Sequence, residues 1–249
     1  MKFVRKIYIL PLIWLVYSCA QPSLYKSVTK SGSNQIINNE IKEDSAMVAH
    51  LQPYQKQVHE IMNEVIGFTE EELKKGFPES KLGNLLADII YVKAGQYSKT
   101  KIDFSLINTG GIRVNLAKGN ITVGAIFEIM PFENQIVVLT LDGSQVHELF
   151  DYMAKRGGIP VSHARYTIYN SGAEDIFIGE NPLDITKNYN LAISDYLADG
   201  GDDLLFLKNA KSRIDAGVKV RDAMLEFVRE QTAEGKKISA VLEGRVKMK

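Results

Sequence analysis

The chain has 249 residues, 45% of them hydrophobic, which is enough for a real core in one large domain or two small ones. Lys and Arg together number 30, as do Asp and Glu, so no overall field draws the chain to nucleic acid or to anionic membrane. The same composition excludes a generally disordered chain and requires any anion recognition to be local.

Lys2, Arg5 and Lys6 lead into an apolar run from Ile7 to Tyr17, interrupted only by Pro11. A run of about eleven residues is too short to span the roughly 30 Å hydrocarbon layer, so residues 1–18 read as a signal peptide. Leu15-Val16-Tyr17-Ser18-Cys19-Ala20 resembles a bacterial lipobox, with the only cysteine of the chain at the required position. The resemblance implies an exported lipoprotein, periplasmic or at the cell surface, held to a lipid membrane through acylated Cys19. Lipidation also removes an unpaired thiol from an oxidising compartment. Loss of Lys2, Arg5 and Lys6 leaves 27 basic residues against 30 acidic ones.

Residues 19–45 are rich in Ser, Asn and Lys without helical or strand period and read as a flexible tether. Leu51, Tyr54, Val58, Ile61, Met62 and Val65 recur at three- and four-residue steps, which predicts a connector helix within 46–68. His50 and His59, with Glu60 and Glu64 nearby, suit a solvated helix face better than a metal site. From residue 69 onward, helix and strand patterns alternate. Helices are predicted at Leu82–Tyr91, after a Thr122 cap to Glu128, from Ser144, and within about 218–233. Strands are predicted at Ile102–Ile107, Gln135–Leu141 (closed by an Asp142-Gly143 turn), Arg165–Tyr169, Ile176–Ile178 and Asn190–Ser194. This interleaving lacks βαβ regularity, so the expected class is α+β, with mixed sheets layered against helices.

Three loops carry residues that a core would not choose. In Asn108-Thr109-Gly110-Gly111-Ile112-Arg113, two glycines let the backbone approach a ligand, Asn108 offers an amide, and Arg113 a planar cation suited to phosphate or carboxylate. Read alone, the segment also fits an ordinary glycine turn with a surface arginine. In Pro131-Phe132-Glu133-Asn134, Phe132 is either a core plug or one wall of a base-stacking slot. The third loop, Ser194 to Asp203, offers Tyr196, the pair Gly200-Gly201 and several carboxylates, which suit ribose hydroxyls as well as acid–base or metal work.

Together these loops resemble the C-terminal domain of the 5′-nucleotidase / UDP-sugar hydrolase family. The resemblance begins near Glu79-Ser80-Lys81-Leu82-Gly83-Asn84 and covers about two-thirds of the chain. Residues 108–113 look like the family's Asn-Gly-Gly-Gly-Ile-Arg segment, with Thr109 replacing one glycine. Residues 131–134 look like Pro-Phe-Gly-Asn, and Tyr196 to Asp202 like Phe-x-Ala-x-Gly-Gly-Asp. The resemblance implies a single domain over 69–249 and a substrate site made of Asn108, Gly110, Gly111, Arg113, Phe132, Asn134, Gly157, Tyr196 and Asp202. In that site Arg113 holds the phosphate and ribose side, Asn108 touches the nucleoside, and Phe132 and Tyr196 sandwich the base. Asp202 accepts from the ribose hydroxyls, while Asn134 and the Gly157 backbone contact the base. Many members carry an arginine one or three residues before the glutamate matching Glu79. Here those places hold Pro78 and Gly76, and Lys74 or Lys75 are the available substitutes.

In full-length members, an N-terminal metallophosphoesterase domain binds two metals through Asp-x-His and Gly-Asn-His motifs. The four histidines here, His50, His59, His147 and His163, stand in neither motif. No catalytic residue and no cofactor is therefore expected in this chain, divalent metals belonging to a partner domain; Ser162-His163 reads as a chance pair. The resemblance then implies the nucleotide-recognition half of a split phosphohydrolase, binding a nucleoside phosphate for a separately encoded metallophosphoesterase. The alternative is a stand-alone surface lipoprotein that captures nucleotides or nucleosides without hydrolysis. A gene for a metallophosphoesterase lipoprotein next door separates the two.

Overall fold

The computed structural model describes residues 41–249, together with Gly32, Asn34 and Asn38. The expected signal peptide, Cys19 and most of the expected 19–45 tether lie outside the described residues. The chain divides into two compact units, Met1–Val48 and Ala49–Lys249. In the first, Asp44 accepts from the N–H groups of Ala46 and Met47 and so caps the start of helix α1 (Ser45–Met62). No helix among the described residues is long and apolar enough to cross a membrane.

The connector helix ends at Met62 rather than reaching residue 68. Asn63 caps its last turn by donating to the His59 carbonyl. Val65–Thr69 then forms strand β1 of a two-stranded sheet, so Val65 belongs to a strand despite its helical spacing. Its partner, β3 (Gly119–Thr122), runs antiparallel to it. Helix α1 buries none of its residues.

The centre of the second unit is a five-stranded sheet. Its strands are β2 (Phe104–Leu106), β4 (Gln135–Asp142), β5 (Val161–Ser162), β9 (Asn188–Ser194) and β10 (Ser212–Lys219), in the order β10-β4-β9-β2-β5. The β2–β9 pair is parallel, and the β10–β4, β4–β9 and β2–β5 pairs are antiparallel. Both faces are covered, which explains the unbroken apolar run of β4. Ile136 and Val138 face a core shared with α2 (Lys81–Ser98), α3 (Val123–Ile129) and α6 (Val220–Ala233). Val137, Leu139 and Leu141 face a second core shared with α4 (Gly143–Lys155) and a four-stranded sheet. That sheet comprises β6 (Ala164–Tyr169), β7 (Gly172–Ile178), β8 (Asn181–Pro182) and β11 (Val246–Met248). The mixed α and β layers match the expected class.

Capping chemistry sets several boundaries. Thr122 accepts from the Ala125 N–H and starts α3, as its position predicts. Asp142 is the N-cap of α4 rather than part of a turn. It accepts from the Gln145 N–H while the Gln145 side chain accepts from the Asp142 N–H, a complete capping box. Lys93 of α2 is fully buried between Glu226 and Glu230 of α6, at 2.9 and 2.8 Å. Burial alone would lower its pKa; the hydrogen bonds to the two carboxylates outweigh that and hold it above the ordinary lysine value.

Candidate functional site

The sheet register explains why distant loops meet. Ser105 lies beside Ala192, with β2 and β9 parallel, and Ile136 lies opposite Ser194. The C-terminal ends of β2 and β9 therefore share one edge with the N-terminal end of β4. Val161 opposite Leu106 brings in the loop before β5, and Lys219 opposite Gln135 brings in the start of α6. All the segments singled out in the sequence open on this edge.

Asp202 is the hub. It sits in a 3₁₀ turn (Gly201–Asp203) with φ 51° and ψ 33°, a left-handed backbone that costs a residue with a Cβ roughly 1–2 kcal/mol. Its carboxylate accepts from Asn108 Nδ2 at 2.8 Å and from Tyr196 Oη at 2.8 Å. Its N–H donates to Tyr196 Oη at 3.3 Å. Its carbonyl accepts from Tyr152 Oη at 2.5 Å and Arg156 Nη2 at 3.1 Å. Tyr196 belongs to the short helix α5 (Asp195–Ala198), and its hydrogen bond to the Asp202 carboxylate raises its pKa. Gly201 is required beneath that ring, because a Cβ there would come within 2.5 Å of the Tyr196 carbonyl and 2.6 Å of the ring. Gly111 is required likewise, since a Cβ would meet Asn108 Oδ1 at 2.8 Å.

On the other side stand Arg113 and Phe132. The Arg113 guanidinium lies 5.9 Å from the Phe132 ring centroid, at the limit of a cation–π contact, and donates weakly to the Gly110 carbonyl at 3.4 Å. No carboxylate lies within ion-pair range of it among the described residues. Phe132 is 38% exposed and Tyr196 45%, so neither ring is a core plug. The Phe132 loop is anchored through Glu133, which pairs with Lys219 and with the nearly buried Arg221. Hydrogen bonds from Arg221 and then Lys219 pull the Glu133 carboxyl down to about 2. An open recess of about 620 Å³ is lined by Asn134, Tyr196, Asp199, Gly200, Gly201 and Leu205, among others.

The structure thus brings Asn108, Tyr196 and Asp202 into direct contact, puts Arg113 over Phe132, and sets Asn134 beside Tyr196. Gly157 adopts φ 79° next to Arg156, which donates to the Asp202 carbonyl, and a Cβ on Gly157 would meet nothing within 4 Å. Of the two proposed lysine substitutes, Lys75 is tied to the loop backbone, whereas Lys74 makes only an exposed surface pair. Lys74 pairs with Glu72 at 3.5 Å, and Lys75 donates to the carbonyls of Ile112 and Arg113 at 2.8 and 3.1 Å, fixing the loop. Tyr152 and Arg156 were not legible as site residues. Their one signal is an aromatic and a cation four residues apart at the end of a helix, immediately before Gly157-Gly158.

Ser162 Oγ lies 3.0 Å from His163 Nδ1, but its one proton goes to Asp88, so it accepts from the imidazole rather than being activated by it. Ser162 is buried, its hydroxyl donates to Asp88 at 2.5 Å, and Asp88 also receives two Arg245 nitrogens at 2.7 and 2.9 Å. Among the described residues no group of three or more His, Cys, Asp or Glu side chains can hold a metal ion. The described residues therefore offer no ligand set for the metal centre of a phosphoesterase, and no metal-dependent step is assigned to them.

The chain is 26% identical over 228 residues to a 5′-nucleotidase of Vibrio vulnificus, covering 87% of this chain and 40% of that one. It is 24% identical to Protein UshA of Escherichia coli, with the same coverage of each. The crystal structure of a 5′-nucleotidase precursor from Thermus thermophilus superposes with a TM-score of 0.69 and 29% identity, over 82% of this chain and 42% of that one. The chain thus spans about 40% of the length of the curated relatives it matches. Residues 64–209 match the family described as 5′-nucleotidase, C-terminal domain, and the chain belongs to that family.

Proposed function

We propose that this chain is the nucleotide-recognition part of a 5′-nucleotidase-type phosphohydrolase, binding nucleoside phosphates that a separately encoded metallophosphoesterase hydrolyses. The observation that carries this reading is the pairing of Asp202 with Arg113 on one sheet edge. The Asp202 carboxylate is held by Asn108 and Tyr196 with acceptor capacity left over, and the Arg113 guanidinium has no carboxylate partner among the described residues. A carboxylate that can take two more O–H donors suits a ribose diol, and an unpaired planar cation suits a phosphate. The exposed Phe132 and Tyr196 rings offer stacking faces, and Asn134, which shares the open recess with Tyr196, a base-edge amide. The lipobox-like segment supports export and, through acylation of Cys19, membrane anchoring.

The mature chain, titrated calorimetrically with AMP in the presence of a chelator, is expected to bind saturably and release no phosphate. Chelator-sensitive phosphate release by the chain alone overturns the division of labour. Absence of binding to AMP, adenosine and a UDP-sugar overturns the recognition reading. If no phosphatase activity co-purifies with the chain from its native membrane, a stand-alone binding lipoprotein takes the place of the split enzyme.

A further inference from the structure

Asp202 is a half-buried residue in a surface loop, yet every polar group it owns is engaged. The N–H, the carbonyl and both carboxylate oxygens have protein partners drawn from three separate elements. Asn108 comes from the loop after β2, Tyr196 from α5, and Tyr152 and Arg156 from the last turn and end of α4. The two donors from α4 converge on a single atom, the Asp202 carbonyl oxygen. They also brace each other, with the Arg156 guanidinium 4.9 Å from the Tyr152 ring centroid and its Nη2 3.0 Å from Asp203 Oδ2.

Those ties hold a backbone that the chain would otherwise relax. Gly200, Asp202 and Asp203 all have positive φ, at 89°, 51° and 68°, and only the first is a glycine. A non-glycine residue persists in this region where its surroundings over-determine it, and such residues concentrate at functional sites. The conformation has a consequence for the side chain. A carboxylate has about four acceptor positions. Asn108 occupies one on Oδ2 and Tyr196 one on Oδ1, leaving one free on each oxygen.

We propose that Tyr152 and Arg156, with the Tyr196 hydroxyl, form a positioning clamp that holds the Asp202 carboxylate ready to receive two vicinal hydroxyls. On this view the clamp gives the site its preference for ribonucleosides over sugars lacking the diol. Tyr152 and Arg156 act from behind, through the backbone carbonyl, and touch no ligand. The Tyr196 hydroxyl acts from the front and links the ring that stacks on a base to the carboxylate that reads the sugar. Both phenols keep their protons across the physiological range: burial raises the pKa of Tyr152, and the hydrogen bond to Asp202 raises that of Tyr196.

The inference rests on the nucleoside reading above, and the test separates the two. Affinities for adenosine and for 2′,3′-dideoxyadenosine are measured by calorimetry on the mature chain and on Tyr152→Phe, Arg156→Met and Tyr196→Phe. Wild type is expected to prefer adenosine. Tyr152→Phe and Arg156→Met are each expected to lose about tenfold in adenosine affinity while dideoxyadenosine binding stays unchanged, because neither residue touches a ligand; Tyr196→Phe is expected to lose more for adenosine than for dideoxyadenosine. Tyr196→Phe guards against a folding artefact, since its hydroxyl sits on an exposed side chain. Amide exchange at Asp203 and Leu204, read without ligand, should accelerate in Tyr152→Phe. A wild-type preference that survives in all three variants overturns the clamp alone, as does an equal loss for both ligands. A wild type that binds neither ligand overturns the nucleoside reading and the clamp with it.

Discussion

On one side of the sheet edge, Asp202 has all its polar groups tied by residues from three elements. On the other, the Arg113 guanidinium reaches, among the described residues, the Gly110 carbonyl at 3.4 Å and the Phe132 ring at 5.9 Å. The difference is built into the scaffold. The Asp202 loop leans on the end of a helix, which supplies rigid donors, whereas the Arg113 side chain projects from a glycine turn whose backbone alone is anchored, through Lys75. A fixed carboxylate suits a neutral diol, whose recognition depends on angle. A loosely held guanidinium suits a phosphate, whose charge acts at longer range and whose position shifts with chain length. One side is pre-organised, and the other adapts.

The largest expected effect comes from destroying the fixed side. Asp202→Ala removes an acceptor for two hydroxyls and leaves Asn108 and Tyr196 without their shared partner. Loss on the order of 3 kcal/mol in nucleoside binding, more than a hundredfold in Kd, is the expected calorimetric result. Unchanged affinity would mean that the ligand's sugar does not lie against Asp202. Phe132→Ala and Tyr196→Ala come next, each lowering affinity by about 1–3 kcal/mol through lost stacking. The two need not be equal. Tyr196→Ala also releases Asp202, so its loss should be the larger and should fall more heavily on adenosine than on the dideoxy analogue.

How much of this was legible in the sequence follows from which signals are local. The apolar run at 135–141 and the Thr122 cap are local, and the elements they predict are the elements found. Strand β10 was missed because Ser212-Arg213-Ile214-Asp215 alternates too weakly: it is an edge strand, with only Ala216 and Val218 buried. Val65 was read into the connector helix because a three-to-four spacing persists by chance across the break at Asn63. The same spacing marks an apolar face, and its residues Leu51, Tyr54, Val58 and Ile61 are all exposed. Periodicity reports that one face is apolar, not what meets it. Among the site residues, those inside glycine-bearing motifs were visible, because glycines mark close backbone approach. Tyr152 and Arg156 were not, since they act on a carbonyl about fifty residues away, and only the register of β2, β4 and β9 brings the two loops to one edge.

The adaptive side gives smaller effects. Arg113→Lys keeps the charge but replaces a fork with a point charge, so AMP affinity should fall by about tenfold while adenosine affinity holds. Equal losses for both ligands would place the guanidinium against the nucleoside rather than the phosphate. Titration of this variant at rising salt should also show a weaker dependence on geometry than on ionic strength, since a lone ammonium is screened like any exposed charge.

The smallest effect concerns the anchor of the Phe132 loop. Arg221 and Lys219 hold the Glu133 carboxyl at about 2, below the ordinary value of 4.5. A folded-state pKa below the unfolded one means that this contribution to stability is fully present above about 4.5. It is lost as pH falls from there through about 2, as the carboxylate takes up a proton. The pairs are exposed on the glutamate side, so salt should weaken the effect at every pH. Glu133→Gln removes the titration, leaves the nearly buried Arg221 without its carboxylate and is expected to flatten the thermal-stability profile between pH 5 and pH 2 relative to wild type. Phe132 fluorescence is too weak to follow, so the loop is best read by amide exchange at Glu133 and Asn134. Acid-accelerated exchange there in wild type, with Asp203 and Leu204 unaffected, would show that the anion side loosens while the Asp202 clamp holds. Simultaneous loosening of both loops would mean that the two sides form one cooperative unit, and the contrast between a fixed and an adaptive side would fail.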